Sequence, residues 1–302
     1  MRVLLTGASG FVGRCAAAAL REMGHSVVAV VNSGGRDADG EVLRVDLLSA
    51  GTAGRIAEAA SADALLHLAW TTRHGAYWND LANLSWLAAT AELVAAVARR
   101  GTRRVCVVGT CFEYDWPVDG DCDEDVTPTA SHTVYDAAKT ACRLVLEQLA
   151  RDMHLSLAWA RLFHLYGPGE HPDRLVSSVC RALVAGRPAR CSSGSGLRDF
   201  MDVRDAASAL AHLVTGDVRG IVNVASGETV RIRDVAVTLG DLAGRPELVA
   251  VGELPDRPDE PPRITASTSR LNREVGFQPE HRLRDGLNDA LTYWTKERDR
   301  HG

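Results

Sequence analysis

The chain has 302 residues, 46% of them hydrophobic and 24% charged, with a formal net charge of −5, a balance that supports a sizeable buried core and argues against nucleic acid as a partner. Seven cysteines are scattered without Cys-x-x-Cys spacing, and Met1 leads almost directly into an apolar run rather than a cleavable signal, so free thiols in a reducing cytoplasm are expected. The longest apolar stretches are interrupted by charges, which excludes a membrane span from the reading.

In chain order, the first strand is the run Val3-Leu4-Leu5-Thr6, followed by Gly7, Gly10 and Gly13 and then by the alanine-rich helix that begins near Cys15. A strand, a glycine turn and a helix in succession form the context of a dinucleotide fingerprint: glycine permits the tight turn, lets backbone N–H groups approach a pyrophosphate, and allows helix and strand to pack closely. Strands are expected at 26–31, 42–45, 64–68, 104–108 and 155–160, with helices at 81–100 and 133–153 between them. Alternation of this kind predicts a doubly wound parallel sheet of the Rossmann type. From Tyr166 onward, Gly167-Pro168-Gly169, Gly186-Arg187-Pro188, the serine–glycine run at 192–196 and the prolines at 255–262 punctuate shorter elements, which predicts a smaller, irregular lobe over 166–302 after a dinucleotide-binding domain over 1–165. Some later segments are expected to return to the first domain. The last helix is expected from Leu283 to about Arg298.

Tyr135 and Lys139 stand four residues apart, on one face of the predicted helix 133–153. An ammonium beside a phenol favours the phenolate and makes tyrosine a usable proton donor and acceptor. Thr110 follows the strand 104–108, at the edge where open parallel sheets keep their ligand crevice, and its hydroxyl can meet a substrate oxygen beside Tyr135.

In this order the markers resemble the extended short-chain dehydrogenase/reductases, in particular the group of nucleotide-sugar epimerases, dehydratases and reductases. They are Gly7-x-x-Gly10-x-x-Gly13, Asp46-Leu47, His67-Leu68-Ala69, Asn83, Thr110, Tyr135-x-x-x-Lys139, Arg161-Leu-Phe-x-x-Tyr-Gly-Pro168 and Gly196-x-Arg198-Asp199-Phe200. The resemblance covers nearly the whole chain and implies catalytic roles for Thr110, Tyr135 and Lys139. It implies a cofactor site of Gly7, Gly10, Phe11, Val12, Gly13, Asp46, Leu47, Leu68, Ala69 and Lys139, and a sugar-nucleotide site drawing on Thr71, Thr110, Cys111, His164, Arg174, Arg198 and Arg257. Arginine suits the diphosphate because its N–H groups form a fixed fork. Asn83 is expected to link helix and strand rather than react. A homodimer packed through the helices 81–100 and 133–153 is also implied.

Departures from the family pattern narrow the reaction. Dehydratases of this group carry an Asp-Glu pair directly after the threonine, where this chain has Cys111-Phe112, with Glu113 one position late. The second strand ends in Val31 rather than an acidic residue, and Asn32, Ser33 and Arg36 follow, which removes repulsion against a 2'-phosphate and favours NADP(H) over NAD(H). The expectation is an NADPH-dependent 4-ketoreductase acting on a nucleoside-diphosphate 4-keto-6-deoxyhexose. The alternative is an epimerase, at C4 or, through a Cys111 and His171 acid–base couple, at C3 and C5. A non-catalytic dinucleotide-binding regulator is the reading from another class.

Overall fold

The computed structural model describes residues 1–32, 40–71, 73, 75–258 and 260–301. The strands β1 (Arg2–Thr6), β2 (Ser26–Val31), β3 (Glu41–Arg44), β4 (Ala64–His67), β5 (Arg104–Thr110) and β6 (Ser156–Leu162) align in parallel in the order 3-2-1-4-5-6, and a strand from much later in the chain, Gly220–Val224, closes the edge beside β6. Runs such as Val27-Val28-Ala29-Val30-Val31 are buried along their whole length, as strands covered on both faces must be.

Between the strands run α1 (Phe11–Glu22), α2 (Thr52–Ala60), α3 (Ala82–Arg99) and α4 (Val134–Asp152). The expected helices 81–100 and 133–153 agree with α3 and α4 to within one residue at each end. Ala16, Ala17 and Leu20 of α1 pack on one face of the sheet, together with the alanine-rich helix Val203–Thr215 from the later part of the chain. Ile56 of α2, Leu93 and Val97 of α3 and Ala138, Cys142 and Leu146 of α4 cover the other. In α4 the buried positions recur at helical spacing, so Tyr135 and Lys139 face inward. Thr133 caps this helix, its hydroxyl oxygen accepting from the Asp136 N–H.

After β6 come β7 (His164–Tyr166), α5 (Leu175–Val184), β8 (Ala189–Cys191), β9 (Leu197–Asp202), α6 (Val203–Thr215), β10 (Gly220–Val224), β11 (Thr229–Arg231), α7 (Ile232–Leu242), β12 (Val249–Val251), β13 (Arg263–Ile264), α8 (Ser269–Arg273) and α9 (Leu283–His301). Here α5, α7 and α9 share a separate apolar core with Phe200 of β9 and Ala189 of β8, while β9 pairs with β7, β11 and β13. Thus α6 and β10 belong to the central sheet layer although they follow residue 165.

Strand order reverses between β1 and β4. Such a switch point opens a crevice at the carboxyl ends of the strands, and the glycine turn, Ala69, Thr110 and Leu162 all lie at that edge. Among the described residues no helix is long and apolar enough to cross a membrane, and no cluster of side chains could hold a metal ion.

Candidate active site

One cavity of about 640 Å³ runs along this edge. At one end are Gly7, Gly10, Phe11, Val12 and Gly13, with Asn32, Asp46 and Leu47 beside them; at the other are Thr110, Cys111, Tyr135, Lys139, His164 and Arg174. Leu68 and Ala69 lie between. Most of the residues expected from sequence therefore line a single space. Thr71, Arg198 and Arg257 are not among its walls, and Ser33 and Arg36 lie outside the described residues.

The glycine turn is shaped by contact. Gly7 has φ +72, and a Cβ there would approach the Ala69 nitrogen to 2.9 Å; a Cβ on Gly13 would come within 2.0 Å of the Gly7 carbonyl oxygen. Only glycine lets the β1–α1 turn sit so close to β4 and to the helix start. Gly10 caps α1 without a side chain, and the first turn holds no acidic residue, which leaves a helix N-terminus suited to an anionic pyrophosphate. The cradle fits a dinucleotide. Asp46 is fixed by accepting from the Leu48 N–H and the Ser49 hydroxyl, each at 3.0 Å.

Beneath the cavity, His67 is fully buried and held from both sides. Thr90 donates its hydroxyl to the Trp86 carbonyl at 2.7 Å, so its oxygen accepts from His67 Nε2–H at 2.9 Å. His67 Nδ1 then accepts from the Thr6 hydroxyl at 2.8 Å, and the same Thr6 oxygen receives the Ala69 N–H. Burial, helped by the nearby Lys139 charge, lowers the imidazole to about 3, so it stays neutral. This chain of bonds ties β1, β4 and α3 together where Leu68 and Ala69 enter the cavity.

At the opposite end, Tyr135 lies beside Thr110, whose hydroxyl favours its ionised form, and meets Tyr77 edge-on at a ring separation of 4.9 Å. Lys139 Nζ donates to the Val108 carbonyl at 2.8 Å and lies 3.9 Å from the centre of the Trp70 ring. Burial lowers Lys139 to about 8, partly offset by Cys142 and Glu113. The sequence suggested a phenol driven toward phenolate by this ammonium; instead burial raises Tyr135 well above its ordinary value, and Thr110 only moderates the effect. Burial of the phenol is the main cause, with Tyr77 adding to it, and the ammonium is held by Val108 and Trp70.

Glu113 resolves the family departure noted above. Its side chain turns away from the cavity, receiving Thr110 N–H at 2.9 Å, Trp159 Nε1–H at 2.9 Å and Arg161 Nε–H at 3.1 Å. It is wholly buried between β5 and β6 and braces Thr110 from below. Asn83 is likewise structural, accepting from Trp70 Nε1–H at 2.8 Å and donating to the Tyr77 and Asp80 carbonyls.

Cys111 lines the cavity, but burial drives its thiol far above the ordinary range, which makes it a poor acid–base partner for His171. His164 lies between the rings of Phe112 and Phe200, lowered to about 3 by burial and by Arg198 and Arg174. Arg198 is 3% exposed and pairs with Glu260 at 2.9 Å; Arg257 is exposed. Sequence reasoning did not single out Trp86 and Phe112, which also line the cavity. Phe112 stands in the Thr110 motif only as a departure from the carboxylate pair, and Trp86, on a helix face, carries no signal distinguishing it from core.

The family model for the NAD dependent epimerase/dehydratase family matches residues 3–225. The chain belongs to that family, and with its Thr-Tyr-Lys cluster it is an enzyme of the NAD(P)-dependent oxidoreductase type on the extended short-chain dehydrogenase/reductase scaffold. It is similar to a UDP-glucose 4-epimerase of Azospirillum brasilense, 26% identical over 98% of this chain and 92% of that protein. A dTDP-6-deoxy-L-talose 4-dehydrogenase (NAD(+)) of Aggregatibacter actinomycetemcomitans is 24% identical over 77% of this chain and 87% of its own. Among solved structures, MoeE5 in complex with UDP-glucuronic acid and NAD is 30% identical, with a TM-score of 0.83 over 99% of this chain and 100% of that one.

Proposed function

We propose that this protein is a nucleoside-diphosphate-hexose 4-epimerase that retains NAD through its cycle. The observation that carries the reading is the union, in one cavity, of the glycine cradle with a single acid–base tyrosine. Among the described lining residues the only carboxylate is Asp46, at the opposite end. Removing and returning hydrogen at one carbon needs one proton-transfer group, whereas dehydration needs paired carboxylates. The similarity to 4-epimerases along nearly the full chain supports the same choice.

Bound NAD would be held by Gly7, Gly10, Phe11, Val12, Gly13, Asn32, Asp46, Leu47, Leu68, Ala69 and Lys139, and supplies reversible hydride acceptance. Tyr135 takes the proton from the sugar C4 hydroxyl and later returns it. Thr110 orients that oxygen and favours the ionised form of Tyr135, while Lys139, its ammonium held by Val108 and Trp70 one turn along α4, would hold the nicotinamide ribose and add positive charge to the reacting cluster. Cys111, Thr71 and His164 would face the sugar, while Arg174, Arg198 and Arg257 would neutralise the diphosphate. In this reading 1–165 holds the cofactor and 166–302 grips most of the sugar nucleotide, with α6 and β10 serving the first layer. A second copy would cover the apolar side chains that α3 and α4 leave exposed, Leu84 and Leu144 among them.

The 4-ketoreductase reading, with NADP(H), draws on Val31 and Asn32, which stand at the end of β2 in place of an acidic residue that would repel a 2'-phosphate, and on the likeness to the talose 4-dehydrogenase. Denaturing the purified protein and identifying the released nucleotide separates the two. Near-stoichiometric NAD supports the epimerase; a protein that carries no nucleotide but binds NADPH reversibly supports the reductase.

A further inference from the structure

Lysine is almost absent from this chain: Lys139 and Lys296 are the only two, against 32 arginines. One of the two is buried, 3% exposed, at the cavity end of α4. A buried ammonium needs compensation from its surroundings. The Val108 carbonyl accepts one N–H at 2.8 Å, and the indole face of Trp70 stands 3.9 Å away, well inside cation–π range. Trp70 is itself fixed, 9% exposed, with its Nε1–H given to Asn83 at 2.8 Å. Asn83 is held in turn by two carbonyls.

We propose that Trp70 is a positioning residue for the reaction: its ring face holds Lys139 in its charged form and fixes its place beside Tyr135. The inference rests on the assignment of Lys139 to the reacting cluster made above. Several other groups act on the same ammonium. Glu113 favours the charge from the end of β5, Cys142 does so from the next turn of α4, and Tyr135 lies one turn back. His67 faces it from β4 and stays neutral. Of the ring and carbonyl that touch Nζ, only the ring can be removed by substitution.

The two-lysine composition makes a direct test practicable. In full-length protein carrying ¹³C-labelled lysine, two sets of side-chain resonances report Lys139 and the exposed Lys296, and their titration is followed from about pH 6 to about pH 11. Trp70→Met fills the space without a π face, and Trp70→Phe keeps a face but loses the bond to Asn83. The expected result is a fall of about one pH unit in the Lys139 midpoint for Trp70→Met, a change of only a few tenths for Trp70→Phe, and none for Lys296 in either. Equal shifts in both variants, or no shift with methionine, would overturn the proposal, since the first assigns the effect to the Asn83 bond and the second to neither. Should Trp70→Met fail to fold, site-specific ring-fluorinated tryptophan at 70 keeps shape and N–H while weakening the ring's negative face. It must lower the midpoint too, and an unchanged midpoint counts against the proposal. The alkaline limb of turnover is expected to move with the midpoint. A midpoint that shifts in a protein without any sugar-nucleotide turnover would leave the cation–π assignment standing and reject the proposed reaction instead.

Discussion

At the scale of single residues, burying Lys139 costs stability that the proposed chemistry would use. Lys139 sits near 8 in the fold against about 10.4 in an unfolded chain. Below about pH 8 both states carry the charge and the burial penalty is fully present; between about 8 and 10.4 the unfolded state binds more protons, so stability from this group rises with pH. Lys139→Met is therefore expected to raise stability at neutral pH by about 1–2 kcal/mol after the lost Val108 and Trp70 contacts are counted, and to abolish turnover. Thermal unfolding at neutral and alkaline pH checks this, because the gain must shrink at the higher pH. Tyr135→Phe keeps the ring against Tyr77 but removes the proton carrier, and is expected to reduce turnover about 10³-fold with sugar-nucleotide affinity nearly unchanged. Both residues were legible in the sequence, because the i, i+4 spacing and the glycine turn constrain each other. The direction in which Tyr135 shifts was not, since it depends on how deeply the fold buries the phenol.

At the scale of elements, the β1–α1 turn and the β5–β6 brace hold the cavity open. Gly13→Ala would push a Cβ to 2.0 Å from the Gly7 carbonyl and 2.8 Å from Ala8 Cα, both backbone atoms that cannot step aside. The expected outcome is a loss of about 3 kcal/mol or more and loss of nucleotide retention, read by thermal unfolding and by the nucleotide released on denaturation. Glu113→Gln leaves Arg161 buried without its carboxylate partner and is expected to cost about 3–5 kcal/mol, measured by denaturant unfolding; a loss of activity in a protein of unchanged stability would instead mean that Glu113 acts in the reaction. The sequence displayed the turn, because three glycines at fixed spacing after an apolar run have a single mechanical reading. It displayed Glu113 only as a residue out of register. Its partners, Trp159 and Arg161, lie 46 and 48 positions away, and pairing of β5 with β6 is what brings them together.

For the whole molecule, alternation of buried strands and amphipathic helices was enough to read a doubly wound sheet, whose order then locates the crevice at the β1/β4 reversal. Less legible was the return of α6 and β10 to the first layer, since a helix and strand near residue 210 look the same from sequence whichever core they join. The proposed pairing of copies belongs to this scale. Leu84 and Leu144 are 57% and 54% exposed on adjacent helices, and Leu84→Glu with Leu144→Glu is expected to convert a dimer to a monomer by light scattering; a wild-type monomer would contradict the assembly without touching the chemistry. The central claim is hydrogen removal and return at C4 by one tyrosine and a retained NAD. Its most direct test is to incubate the purified protein with UDP-glucose, UDP-galactose and UDP-glucuronic acid, with no cofactor added, and to follow sugar configuration and nicotinamide absorbance together. Interconversion of a 4-epimer pair without net change in absorbance, lost in Tyr135→Phe, is the predicted result. No epimer from any of them, with stoichiometric oxidation of added NADPH by a 4-keto sugar nucleotide, would contradict it.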